Sequence, residues 1–146
     1  MEDSENIDLE KLKDEIDKEE DIGKIASWLN SIPSKNKEAS KSLVNSIDLM
    51  ALKEKIDKSD KLMDIEYCIS MIRIADEQME KKLIEIIDLG KLKDKFVKFR
   101  DLLLLGMFIS NIIEVNPKIG EMFIDVLINK INESRILKTL KTPFLM

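Results

Sequence analysis

Histidine is absent from the 146-residue chain. That removes the usual general base, the usual metal ligand and the usual side-chain switch near neutral pH. Cysteine occurs once, at Cys68, so no intrachain disulfide and no thiolate metal cluster can form. Four Gly and three Pro leave little punctuation for a many-stranded sheet. No apolar run reaches the ~18 residues of a membrane span. No block of Lys and Arg stands apart, so the electrostatic footprint for a nucleic-acid backbone is missing. The opening "MEDSENIDLE" is acidic, unlike a signal or transit peptide. There is no Gly-rich phosphate loop, no Gly-x-Ser-x-Gly elbow and no calcium loop. Acidic pairs such as Glu19/Glu20 suit acid–base chemistry on paper, but charge runs on helices are usually solvated faces. The expectation is a soluble cytoplasmic protein that is not an enzyme, holds no cofactor or metal, and binds neither nucleic acid nor membrane.

What is present is a phrase written three times. "NIDLEKLKDEIDK", "SIDLMALKEKIDK" and "IIDLGKLKDKFVK" follow one another at an interval of 40 residues, with Ile7, Ile47 and Ile87 in the same place. Asp8/Asp48/Asp88, Leu12/Leu52/Leu92, Lys13/Lys53/Lys93 and Ile32/Ile72/Ile112 are identical in all three. Other columns stay apolar while changing size, such as Ile16/Ile56/Phe96 and Leu43/Leu83/Phe123. Apolar residues recur at three and four rather than at two, which is helical spacing. The chain is 44% hydrophobic and 36% charged, enough for a core under a heavily solvated surface.

Each unit reads as three short helices. Helix A covers about 8–18, with copies at 48–58 and 88–98, and Asp8, Asp48 and Asp88 stand at its N-cap. Ile7 and Leu12 have the spacing of a hydrophobic staple across that cap. Helix B covers about 21–32, with a core stripe at 22, 25, 29 and 32. A break follows, marked by Pro33 in the first unit and Pro117 in the third. Helix C covers about 37–46, capped by Asn36 and, in the copies, Asp76 and Asn116. One such unit cannot bury its own apolar face, whereas about three stacked copies can. "LINKINESRILKTL" reads as a degenerate further helix A. The tail "KTPFLM" is expected to fold Phe144, Leu145 and Met146 back over the last helices after Pro143. The expected fold is therefore all-α: a short right-handed α-solenoid in one domain, 1–146. Its repeats are 7–46, 47–86 and 87–126, with a partial C-terminal capping repeat at 127–146.

The columns Ile-Asp-Leu-x-x-Leu-Lys-x-x-Ile-x-Lys, then Asp-Ile-x-x-Ile-Ala-x-x-Leu-x-x-Ile at 21–32 and Asn-x-x-Ala at 36–39, resemble tandem helical repeats of the HEAT/armadillo kind. They are similar to repeat arms found C-terminal to STAND-type NTPases in archaea and bacteria. The resemblance covers nearly all of 7–126. It implies a sensor or interaction role: a non-catalytic module that binds a protein or peptide, with self-association as one form. The alternative it implies is a regulatory or oligomerisation element of a STAND-type NTPase effector system.

Among single residues, Trp28 with its column mates Cys68 and Phe108 is expected to pack between repeats, and Cys68 to be structural. Lys13/Lys53/Lys93 and Lys18/Lys58/Lys98 are expected to be compensated by interleaved acids, Asp17 and Asp57 among them. The candidate site is the side of helix B turned away from its core stripe. The first unit places Gly23, Ser27, Asn30 and Ser31 there. The later units place Met63, Tyr67 and Met71, then Leu103, Leu104 and Met107. Two readings compete for these six: a partner-binding surface, or burial between helices A and C.

Overall fold

The computed structural model describes residues 8–32 and 35–141, so the expectations placed on Ile7, Pro33 and the tail from Pro143 to Met146 lie outside the described residues. The described residues are all-α, with no strand. They divide between Asp88 and Leu89 into two compact units. The first contains α1 (Leu9–Lys18), α2 (Ile22–Asn30), α3 (Lys37–Ser46), α4 (Leu49–Lys58), α5 (Leu62–Ala75) and α6 (Glu77–Ile86). The second contains α7 (Leu89–Lys98), α8 (Leu102–Val115) and α9 (Pro117–Lys141). None of these helices is long and apolar enough to cross a membrane.

Helix starts follow the carboxylate and amide columns. Asp8 accepts a bond from the Lys11 N–H, and Asp48 one from Ala51. Asp21 caps α2 and Asp101 caps α8; Lys61, in the same column, gives α5 no side-chain cap. Asn36, Asp76 and Asn116 accept from Ala39, Gln78 and Ile119, opening α3, α6 and α9. Pro117 takes the first helical position of α9, where its missing N–H is no loss.

Two boundaries differ from the sequence expectation. The second-helix copies α5 and α8 run to Ala75 and Val115 rather than stopping near 72 and 112. A single extended residue then turns the chain: Asp76 is at once the C-cap of α5 and the N-cap of α6. The expected separate capping helix near 127–146 is fused with the preceding one into the 25-residue α9. The reason is local. α3 and α6 end at extended Ile47 and Ile87, each followed by Asp. The corresponding pair is Leu127–Ile128, which has no carboxylate to start a new helix.

In the first unit the core is Ile16, Ile25, Leu43, Leu52, Ile56, Ile65, Cys68, Ile72, Leu83 and their neighbours, all buried. α2 packs on α5, and α3 and α6 also pack against α5. Trp28 is only half-buried, whereas Cys68 and Phe108 are fully enclosed. The second unit is built around three rings: Phe96 lies 5.1 Å from Phe108 and 4.5 Å from Phe123, centroid to centroid. α9 packs against both α7 and α8. A Cβ on Gly120 would lie 2.3 Å from Ile113 Cγ1 and 3.0 Å from its Cα, so the α8–α9 contact tolerates no side chain there.

The expected charge compensation is present at two members of the first lysine column. Lys13 pairs with Asp17 at 2.7 Å and Lys53 with Asp57 at 2.9 Å, both four residues apart on one helix. The two aspartates also hold the start of the next 40-residue repeat, within the first compact unit. Asp17 accepts the backbone N–H of Asp48 at 3.1 Å, and Asp57 that of Asp88 at 2.9 Å. Burial opposes charge on Asp17, but the Lys13 ammonium and the Asp48 N–H outweigh it and hold the carboxyl below its usual range. Lys55 completes this junction by donating to the Ile16 and Asp17 carbonyls at the C-terminal end of α1.

Candidate outward face of the second helix in each repeat

α5 and α8 owe their orientation to their apolar stripes. On α5, Leu62, Ile65, Cys68, Ile69 and Ile72 are buried; on α8, Leu105, Phe108, Ile109 and Ile112 are. At 100° per residue the positions opposite those stripes must face away from the core.

Those positions are apolar and open to water. Met63 is 57% exposed, Leu103 75% and Met107 56%. Tyr67, Met71 and Leu104 are half-buried at the edges of the same faces. Of the two competing readings, burial between the first- and third-helix neighbours does not hold for Met63, Leu103 and Met107, whereas Tyr67, Met71 and Leu104 are partly covered. Met63, Tyr67 and Met71 lie together on α5 in the first unit, and Leu103, Leu104 and Met107 on α8 in the second. On α2 the matching positions are polar: Ser27, Asn30 and Ser31 are exposed.

One residue of this face escaped the sequence reading. Ile74 is 72% exposed. It was missed because the helix was expected to end at 72, which left 74 in a loop. The signal was there: 63, 67, 70 and 74 continue a spacing of four, three and four. The same spacing on α8 gives 103, 107, 110 and 114, the seam pattern of a pairing helix. Ser70 on the α5 seam is tied back to Glu66, its hydroxyl 2.6 Å from Oε2. Beyond Ile74 the face opens into a shallow groove of about 680 Å³ whose rim carries Lys41, Arg73, Asp76 and Glu77. Cations and anions alternate there, so the groove favours neither sign of ligand. Arg73 also faces the buried Glu80, with Nε 3.8 Å from Oε1.

The titratable groups near these faces are arranged to hold structure. Burial pushes the Cys68 thiol up to about 12, which leaves no thiolate at neutral pH. Asp76 is held below the usual carboxylate range chiefly by the Asn45 amide, 2.9 Å from its Oδ2. No group of three or more Cys, Asp and Glu among the described residues is arranged to hold a metal ion. What the faces offer is adaptable apolar area. Methionine is flexible and polarizable, and a tyrosine adds a hydroxyl at the edge. Comparison of the chain with protein-family models, with characterised proteins and with solved structures gives no match.

Proposed function

We propose that this chain is a non-catalytic helical-repeat module that binds a protein or peptide through the outward faces of α5 and α8. In this reading the three 40-residue units stack as a short right-handed α-solenoid of the HEAT/armadillo kind, closed by the C-terminal half of α9. The single observation that carries the reading is the exposure of Met63, Ile74, Leu103 and Met107 on two helices whose opposite sides are fully buried. Singly scattered apolar side chains need no explanation, but apolar residues grouped at seam spacing on one helix face do. An amphipathic helix is the ligand that such a face fits, taken up by side chains three and four apart.

The test is photo-crosslinking from defined positions of the full chain in extract of the native host. A photoreactive residue at 63, 67, 103 or 107 is expected to give discrete protein adducts. One at the exposed helix A positions Asp14 or Glu54 is expected to give none. Leu103→Asp is expected to abolish the adducts formed from 107. Equal labelling from both sets of positions would overturn the reading.

A further inference from the structure

The mixed signs of the whole chain conceal a charge gradient from repeat to repeat. At the equivalent positions 10–20, 50–60 and 90–100, three lysines stand against six acids, then three against three, then five basic residues against one acid. The reversal falls on particular columns. Lys13 and Lys53 each pair with an aspartate four residues on. The residue four beyond Lys93 is Val97, so the third lysine of the column keeps its charge and loses that acid. Glu20 and Asp60 give way to Arg100.

The structure gathers these changes on one face of α7. Leu92 and Phe96 are buried and fix the core side of the helix. At 100° per residue, Lys93, Asp94, Val97 and Lys98 then turn to water, and all four are exposed. Lys93 and Lys98 flank Val97, whose side chain is 53% exposed, and lie about 7.5 Å apart along the axis. Arg100 is exposed just past the helix end, and the Lys130 ammonium sits on the Val97 carbonyl. Lys91 and Lys95 have partners within the chain, so the face rests on the other cations. Asp94 is the acid on the face itself. Asp101, beside Arg100, is taken up in capping α8 through the Leu104 N–H. The result is a positive rim around one apolar side chain.

We propose that the water-facing side of α7 is a second docking surface, for an acidic peptide segment that sets carboxylates on both sides of one apolar residue. Charge complementarity selects acids, and Val97 selects a peptide over a polyphosphate. A nucleic-acid backbone would leave Val97 uncovered and meet Asp94. Phe96 is buried and Phe99 half-buried, so the face presents no ring on which bases could stack. A peptide supplies carboxylates for Lys93, Lys98 and Arg100 and an aliphatic side chain for Val97. This surface goes beyond the outward faces of α5 and α8 and does not depend on them. Exposed charges are screened over ~8 Å at physiological salt, so binding is weak and salt-sensitive, with Kd on the order of 10–100 μM at low salt.

Fluorescence anisotropy on the purified full chain tests it, with circular dichroism to show that each variant folds. The probe is a labelled peptide of glutamates around a central leucine, in about 50 mM salt. Lys93→Glu should weaken binding about tenfold. Val97→Asp, which writes the acid of the earlier repeats back beside Lys93, should weaken it at least as much. Lys24→Glu makes the same change of net charge at an exposed lysine of α2 and should cost less than about twofold. An all-glutamate probe should bind about threefold more weakly than the one with leucine. No binding at ~1 mM, equal losses from Lys93→Glu and Lys24→Glu, or equal affinity for the two probes would overturn the proposal. So would tighter binding of an oligothymidylate of the same length, or of phosphatidylserine vesicles, through the same residues. Any of these results leaves the adducts expected from positions 63 and 107 untouched, so the two readings fail separately.

Discussion

The two compact units solve the same three packing problems with different residues. Where Ile56, Cys68 and Leu83 are buried in the first unit, the second places Phe96, Phe108 and Phe123 at the corresponding 40-residue positions. Where α5 turns into α6, Arg73 faces a buried Glu80; where α8 turns into α9, the same two columns are Ile113 and Gly120, in van der Waals contact. Where Asp57 holds the N–H of Asp88 and a new helix begins, the second unit has Val97 and Ile128, and the helix runs on. In place of the aspartate clasp, the Lys130 ammonium caps the Val97 carbonyl. The difference teaches that a repeat column specifies a place to be filled and leaves the chemistry that fills it free. The substitutions are coordinated: the large ring at one column comes with rings at its neighbours, and the lost aspartate comes with the lost cap.

The core columns should show the largest effect. Phe96→Ala opens a cavity among three rings and is expected to cost about 3–5 kcal/mol, against about 1–2 kcal/mol for Cys68→Ala in the column of Phe108. Urea midpoints compare them, and equal losses would mean that the two cores are not equivalent in tightness. Next is the helix corner. Gly120→Ala forces α8 and α9 apart and is expected to cost roughly 2 kcal/mol. Adding Ile113→Ala should return part of that loss, and strict additivity would show that the two residues do not share the contact.

The junctions come third. Asp17→Ala removes an acceptor used by both Lys13 and the Asp48 N–H and should cost about 1–2 kcal/mol at neutral pH. The pH dependence has a definite sign. A carboxyl held below its unfolded value stabilises the fold above about pH 4, and that contribution is lost as pH falls through its folded value. Between about pH 5 and 3 the unchanged chain should therefore lose stability more steeply than Asp17→Asn.

A fourth variant writes the first unit's junction into the second. Val97→Asp with Ile128→Asp changes two side chains that are about half exposed, at a cost of at most ~1 kcal/mol. It should interrupt α9, with amide exchange near 127–129 accelerated at least about tenfold. An unbroken α9 would mean that the aspartate pair does not decide where a repeat ends. The smallest expected effect is at the outward face. Leu103→Ser should change stability by less than about 0.5 kcal/mol, since its side chain is 75% exposed. A loss of several kcal/mol there would revive the burial reading.

Local chemistry made much of this readable in advance. The helix starts at 9 and 49, and at 37, 77 and 117, follow from short polar side chains that accept orphan N–H groups, an interaction that spans two or three residues. The candidate face was legible on α5 and α8 because periodicity assigns a direction to every residue of a helix. Ile74 was not legible, because the end of α5 depends on Asp76 serving two helices at once.

The sequence by itself determined the all-α class, the 40-residue interval of helix starts, and which side of α5 and α8 turns outward. Periodicity and caps are properties of residues a few positions apart, so a linear reading reaches them. Only the tertiary structure decided that Met63, Leu103 and Met107 on those sides are exposed, that Asp17 and Asp57 reach 31 residues ahead to the next backbone N–H, and that Gly120 lies against Ile113. Exposure and long-range contact depend on where other helices come to rest, and that is settled by the packing of whole faces rather than by any one segment.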